Sequence, residues 1–258
     1  MFFELCEKNR PNCMKIILVL GATSAIAQAY CRLQASSGAC FWLLGRNEDR
    51  LRTVAGDLRL RGAGDAEIRL IKADNCASVS EGIADAVKAH GRIDVFLIAQ
   101  GELPDQMRLE EEPESVRDFF QGSVVTVVQG ALLAAAQLEL QGGGDCVIIG
   151  SVAGDRGRRR NYIYGGAKAA LEVFSQGLRQ RLAPQSRVVL LKPGPVDTPM
   201  TAHLAKSALF TTPEAVAGVL ARALNRRRPT VVYAPGYWRW VMMIVRALPD
   251  CVVKKMRA

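Results

Sequence analysis

Tyr164 stands four residues before Lys168 in the run Tyr164-Gly165-Gly166-Ala167-Lys168, and Ser151 stands thirteen residues before the tyrosine, closing the apolar run Cys146-Val147-Ile148-Ile149-Gly150. If the segment from about Asn161 to Leu182 is helical, Tyr164 and Lys168 share one face, a turn apart. A phenol ordinarily holds its proton to about pH 10, but a neighbouring ammonium favours the phenolate, so this pair suits proton exchange near neutrality. Ser151, offered at the carboxyl end of a strand, is placed to hydrogen-bond a substrate oxygen. The same spacing also fits a half-exposed helix face that carries an aromatic and a cation. Tyr162 has Gly166 four residues on, so only Tyr164 has the lysine.

Such groups act together only on a scaffold that gathers strand ends, and the upstream sequence has one. Ile16 to Leu20 is a short apolar run that ends in Gly21-Ala22-Thr23-Ser24-Ala25-Ile26-Ala27 and passes into a helical pattern ending near Gly38. That is strand, turn, helix. Gly21 permits a tight turn, the small residues at 25 and 27 let backbone approach a ligand, and the helix start offers N–H groups to a phosphate. A plain strand-to-helix turn is the other reading. A second strand, Ala39 to Leu44, leads to Gly45-Arg46-Asn47 and a helix from Asn47 to Arg61. No acid stands at 45 or 46, and an arginine suits a 2′-phosphate, so this strand end favours NADP(H) over NAD(H).

A third strand, Glu67 to Ile71, leads to Asp74, which either accepts from an adenine amino group or caps the helix from about Ser78 to His90. A fourth, Asp94 to Ala99, ends in Gln100-Gly101. An apolar helix from roughly Glu114 to Leu140 follows, to be buried against the sheet or a partner subunit. Gly142 to Gly144 break it, the fifth strand delivers Ser151, and a sixth, Arg187 to Leu191, opens into Lys192-Pro193-Gly194-Pro195-Val196-Asp197-Thr198. This strand-helix alternation predicts a single α/β domain, a Rossmann-type doubly wound parallel sheet in three α/β/α layers, with ligands at the strands' carboxyl ends.

Five pieces therefore occur in order: the Gly21 loop, Asp74, Ala99-Gln100-Gly101, Ser151 with Tyr164 and Lys168, and Pro193-Gly194 with Thr198. On these the chain resembles the short-chain dehydrogenase/reductase family from about Met14 to its C-terminus. The resemblance implies hydride transfer to or from C4 of a nicotinamide, with Tyr164 as acid/base and Ser151 positioning the substrate oxygen. It implies that Lys168 lowers the tyrosine pKa and binds the nicotinamide ribose, and that Thr198 contacts the carboxamide. Gly21, Thr23, Ser24, Ala25, Ile26, Arg46, Asp74, Ala99, Gln100, Gly101, Pro193, Gly194 and Val196 complete the implied cofactor contacts, and the cofactor carries the redox chemistry. Assembly into a homo-oligomer through the long helices is a further implication. Two departures stand out. The usual second and third loop glycines are Ala25 and Ala27, and the family's helix asparagine has no counterpart; by spacing it falls near Gln121-Gly122-Ser123, with Ser123 the nearest candidate.

Within the family, the stretches Ser151 to Asn161, Met200 to Leu204 and Tyr237 to Pro249 are most similar to a branch that reduces a keto-sugar carried on polyprenyl phosphate, beside a flavin-dependent oxidase partner. Arg156, Arg158, Arg159 and Arg160 lie between the serine and the tyrosine, and a guanidinium cluster suits a phosphodiester, although a solvated loop explains it equally. A soluble carbonyl or 3-oxoacyl reductase and a nucleotide-binding scaffold that has lost turnover are the alternatives. The tail has Trp238, Val241, Met242 and Val245 at helical spacing, with Arg239 and Arg246 interleaved and Lys254, Lys255 and Arg257 beyond. It suits a membrane interface, a substrate pocket or a subunit contact, and it is too short to span.

At 258 residues the chain forms one sizeable core, divided as an extension over 1–13, the catalytic domain over 14–235 and a basic amphipathic tail over 236–258. Its seven cysteines are scattered without a C-x-x-C pair, and its two histidines, His90 and His203, leave a histidine triad or metal site unsupplied. Met1 to Cys13 has Glu4 and Glu7 and no sustained apolar core, so a cytoplasmic protein is expected, peripheral to the membrane if the tail docks there. The net charge of +9 favours anionic lipid, and no nucleic-acid-binding motif accompanies it.

Overall fold

Short continuous apolar runs become strands here, and runs with helical spacing cover them on both faces. The computed structural model describes residues 15–71, 76–226 and 230–253. The first half alternates β1 (Ile16–Leu20), α1 (Ala25–Ala35), β2 (Cys40–Gly45), α2 (Glu48–Leu60), β3 (Asp65–Leu70), α3 (Cys76–His90) and β4 (Val95–Ile98). Short α4 (Gln106–Glu111) and α5 (Ser115–Phe120) precede α6 (Thr126–Leu140). Then come β5 (Gly144–Ile149), α7 (Tyr162–Leu182), β6 (Ser186–Pro193), α8 (Pro213–Arg226), β7 (Val231–Ala234), α9 (Trp238–Ala247) and α10 (Asp250–Val253).

The seven strands form one parallel sheet in the order β3-β2-β1-β4-β5-β6-β7. Alternate residues of each strand point to opposite faces. Ile17, Val19, Phe41, Leu43, Val95 and Leu97 pack under α1, α2 and α8, whereas Leu18, Leu20, Leu44, Phe96, Ile98 and Ile148 pack under α3, α6 and α7. The three-layer, doubly wound α/β architecture follows from that alternation. Connections run outward in opposite directions from β1 and β4, so a crevice opens at their carboxyl ends.

One expectation needs correction. The apolar stretch 114–140 is not one regular α-helix: Gln121–Val125 is a π-helical turn between α5 and α6, and Thr126 Oγ1 donates to the Gln121 carbonyl at 2.8 Å. The inserted residue changes which side chains face inward, and such turns recur at functional sites. Ser115–Leu140 is long and apolar enough to cross a membrane, but α6 lies against the sheet. A Cβ on Gly130 would overlap the Leu20 side chain, so the helix rests directly on β1. The tail packs on the rest of the chain: Trp238 and Met242 of α9 are 6% and 2% exposed, packed on Val152.

Candidate active site

The carboxyl ends of β1, β4, β5 and β6 meet around one cavity of about 750 Å³. β1 delivers Gly21, whose φ of +86° and tight contact with the Gln100 backbone leave no room for a side chain. Thr23, Ser24, Ala25 and Ile26 follow into the wall, and Ser24, at the start of α1, makes no side-chain capping bond. That helix start is therefore free to hold an anion. Ala27 does not serve the ligand as expected. It is fully buried in the core, where its small size lets α1 pack on the sheet.

At the end of β2, Gly45, Arg46 and Arg50 line the cavity, and Arg46 is exposed. Arg50 was not among the residues singled out by sequence; its place one turn beyond Arg46 is the signal that would have found it. Asp74 lies outside the described residues. From β4 come Ala99, Gln100 and Gly101, and the buried Gln100 Oε1 has no hydrogen-bond partner. β6 supplies Pro193, Gly194, Val196 and Thr198, with Thr198 N–H donating to Thr201 Oγ1 at 3.1 Å. An uncapped helix start and paired arginines in one cleft fit a dinucleotide's phosphates, and the orphaned amide oxygen suits a donor such as a ribose hydroxyl.

The proposed catalytic groups share the same wall. Ser151 follows β5, its Oγ accepts from Ala153 N–H at 3.1 Å, and it lies within hydrogen-bond reach of the Tyr164 hydroxyl. Lys168, one turn along α7, is 5% exposed and donates from Nζ to the Ile149 carbonyl at 3.1 Å. Its Nζ stands 5.7 Å from the centre of the Tyr164 ring. Two glycines set this geometry. A Cβ on Gly154 would come within 2.8 Å of the Lys168 backbone, and one on Gly165 within 2.9 Å of the Ala153 carbonyl. The 3-10 turn Val152–Gly154 can thus lie directly on α7, and neither contact is visible without the fold.

The electrostatics correct the simple picture of a lysine that acidifies its tyrosine. Burial raises the Tyr164 pKa above its usual value, and the hydrogen bond with Ser151 only partly opposes that. Burial also lowers Lys168 to about 8. Burial therefore favours the protonated phenol in the protein alone. Ser123 is fully buried in the π-helical turn and lines the cavity, with Oγ accepting from Glu102 N–H at 3.4 Å.

Of the four arginines between serine and tyrosine, only Arg158 lines the cavity. Arg159 and Arg160 are exposed, and Arg156 is taken by an ion pair with Asp250. Arg158 Nε is buried without a partner, and burial depresses its pKa against the opposing pull of Asp155. That carboxylate is already engaged: Lys192 Nζ bonds it, and Tyr233 donates to its other oxygen at 2.9 Å. Lys192 also bonds Glu172 at 2.7 Å and is 1% exposed. Trp238 completes the wall, and its buried Nε1 likewise has no partner.

The sequence pattern of the short chain dehydrogenase family matches residues 15–208. An uncharacterized oxidoreductase of Mycobacterium tuberculosis is 35% identical over 242 residues, covering 93% of this chain and 96% of that protein. Another, from Streptomyces coelicolor, is 36% identical over 243 residues, covering 93% and 95%. Among solved structures, an actinorhodin polyketide ketoreductase with NADPH aligns at a TM-score of 0.78 and 21% identity, over 89% of this chain and 99% of that one. The alcohol dehydrogenase of the archaeon Thermococcus sibiricus, complexed with 5-hydroxy-NADP, aligns at 0.72 and 21% identity, over 86% and 96%. The parallel sheet, the strand-end cavity and these matches have one reading: the chain belongs to the short-chain dehydrogenase/reductase family of oxidoreductases.

Proposed function

We propose that the chain is an NADP(H)-dependent oxidoreductase that reduces a keto group to a secondary alcohol, on a sugar carried by polyprenyl phosphate. It would thereby resemble the reductase subunit of decaprenylphosphoryl-ribose 2-epimerase and its proteobacterial relatives. The observation that carries the reading is the meeting of Ser151, Tyr164 and Lys168 in one wall of a cavity whose far end presents Arg46 and Arg50. Nicotinamide cofactors accompany the ketoreductase and the alcohol dehydrogenase of the same fold. Arg46 and Arg50 favour the 2′-phosphate of NADP(H).

A bound dihydronicotinamide supplies the hydride. Ser151 holds the carbonyl oxygen, and Tyr164 gives that oxygen its proton. The raised pKa of Tyr164 suits this direction, since a proton donor must be protonated at working pH. Lys168, positioned by the Ile149 carbonyl, holds the cofactor ribose and restores charge balance near the phenol. Ser123 takes the place of the family's helix asparagine in the proton relay. At the substrate end, the unpaired Arg158 and the Trp238 N–H are two buried donors awaiting an acceptor, which a sugar phosphate provides.

Met200, Leu204 and Val152 in the same wall favour a second reading, a soluble carbonyl or 3-oxoacyl reductase whose substrate is apolar beside its ketone. Assembly is proposed through the long helices, where Val125, Leu132, Leu140 and Val173 are exposed. The flavin-dependent oxidase partner and the cytoplasmic location follow from the same reading. The test begins with titration by NADPH and NADH, followed by nicotinamide fluorescence. NADPH oxidation is then measured with lipid-linked and soluble ketones. Tight NADPH binding, much weaker NADH binding and turnover only of the lipid-linked ketone are expected, with Tyr164→Phe keeping binding and losing turnover. Turnover of soluble ketones alone would select the second reading. Binding of neither cofactor would overturn both and leave a scaffold that has lost turnover.

A further inference from the structure

The outer face of α9 is apolar where most surface helices are polar. At 100° per residue, Trp238 and Met242 face inward and Val245 lies beside them, partly buried on the same packing cluster. The opposite face carries Trp240, Met243, Ile244 and Ala247, and the first three are 60%, 56% and 60% exposed. Tyr237 precedes them at 43%, and Val252 of α10 adds 41%. Arg239 and Arg246 fall together on one flank, seven residues apart, and the Arg239 guanidinium lies 5.7 Å from the centre of the Trp240 ring. From Gly236 to Pro249 the sequence has these two arginines and no acid, and Lys254, Lys255 and Arg257 follow in a chain of net charge +9. Asp250, the first acid after the helix, is held by Arg156.

A helix that buries one face and exposes a second apolar face is stable on the surface only if something covers it. The charge beside the face identifies the cover. Basic residues flanking an exposed tryptophan match a surface that is apolar below and anionic at its edge, as lipid headgroups are above acyl chains. We propose that α9 is a docking helix for an anionic bilayer, with Trp240, Met243 and Ile244 at the headgroup–acyl boundary and Arg239 and Arg246 against lipid phosphates. The helix lies in the interface. Its ten residues span about 15 Å, roughly half the hydrocarbon thickness, so it does not cross.

The anchorage of α9 ties this surface to the cavity. Trp238 is a wall of the cavity, and Met200 and Leu204, 44% and 36% exposed, belong to the same wall. Arg156 ties the serine–tyrosine loop to the end of α9 through the Arg246 carbonyl at 3.4 Å and to α10 through Asp250. A docked α9 therefore carries the substrate end of the cavity to the lipid surface. Docking itself requires neither cofactor nor turnover.

The test is flotation of the purified full-length protein with phosphatidylcholine vesicles, with and without phosphatidylglycerol, at low and high salt. Binding to the phosphatidylglycerol vesicles alone is expected, weakening with salt. The double variant Trp240→Ser with Ile244→Ser should lose at least tenfold in affinity, and Arg239→Glu with Arg246→Glu should remove the lipid selectivity. NADPH affinity and the urea midpoint serve as folding controls, since these exposed side chains do not line the cavity. Absence of binding to any vesicle, or variants that bind as the parent does, would overturn the proposal. So would a fall in oligomer mass in the Trp240 and Ile244 variant with vesicle binding unchanged, which would show that the face joins two copies of the chain. None of these outcomes depends on the substrate or on NADP(H) preference.

Discussion

Replacing Lys168 by methionine should stabilise the protein while abolishing turnover. The lysine is 5% exposed, with a single carbonyl partner among the described residues, and burial lowers its pKa from 10.5 to about 8. A shift of that size corresponds to about 3 kcal/mol by which the folded state disfavours the ammonium below pH 8. Methionine removes that cost and loses one hydrogen bond, worth about 1 kcal/mol, so a net gain of about 2 kcal/mol is expected at pH 7. The sign with pH follows from proton counts. Between about pH 8 and 10.5 the unfolded lysine still holds its proton and the folded one does not, so the parent gains stability as pH rises. The advantage of Lys168→Met should therefore shrink by about 2 kcal/mol between pH 7 and 9.5 and vanish near the latter. Urea unfolding of both proteins at the two pH values measures it. An advantage that is absent at pH 7, or that does not change with pH, would refute the burial argument for Lys168.

Gly154→Ala should cost about 1–3 kcal/mol in urea unfolding and lower kcat, because the added methyl forces the 3-10 turn, and Ser151 with it, away from the α7 backbone. Arg46→Ala and Arg50→Ala should each weaken NADPH about tenfold in fluorescence titration and leave NADH unchanged; equal losses for both cofactors would mean that these arginines do not face the 2′-phosphate. In Gly194→Ala the new methyl overlaps the Trp238 indole, so the variant should lose cavity integrity, and Trp238→Ala should restore its NADPH binding. If Trp238→Ala gives no rescue in that double-mutant cycle, the glycine serves the cofactor rather than the indole.

The fold was legible wherever burial on both faces forces a continuous apolar run, as at Ile16–Leu20 and Cys146–Ile149. The helix expected from Asn47 begins one residue later, at Glu48, because Asn47 caps it by accepting from Arg50 N–H at 2.9 Å. β7 was not legible, since four residues after the last motif cannot be told from a turn by periodicity. α8 carries a clear helical spacing in Val216, Ala217, Leu220, Ala223 and Leu224, but none of its residues lines the cavity. The π-helical turn left no sequence signal at all. Its residues, Gln-Gly-Ser-Val-Val, contain no proline, and an apolar helical spacing continues on both sides of it.

The candidate site divides the same way, by sequence distance. Tyr164 and Lys168 are one turn apart, so local geometry alone brings them to one face of α7. Which arginine of the run 156–160 enters the cavity is decided by partners far along the chain: Arg156 is drawn to Asp250, 94 residues on, and Asp155 to Lys192 and Tyr233. Only the fold shows that Arg158 is the one that lines the cavity, with its Nε buried and without a partner. Trp238 carries the point furthest. It opens what the sequence presents as a basic tail, yet its indole stands where a Gly194 side chain would be, so a motif glycine of the catalytic domain is explained by a residue 44 positions later. A helix so placed is part of the cavity wall, because Trp238 both anchors α9 on Val152 and lines the cavity.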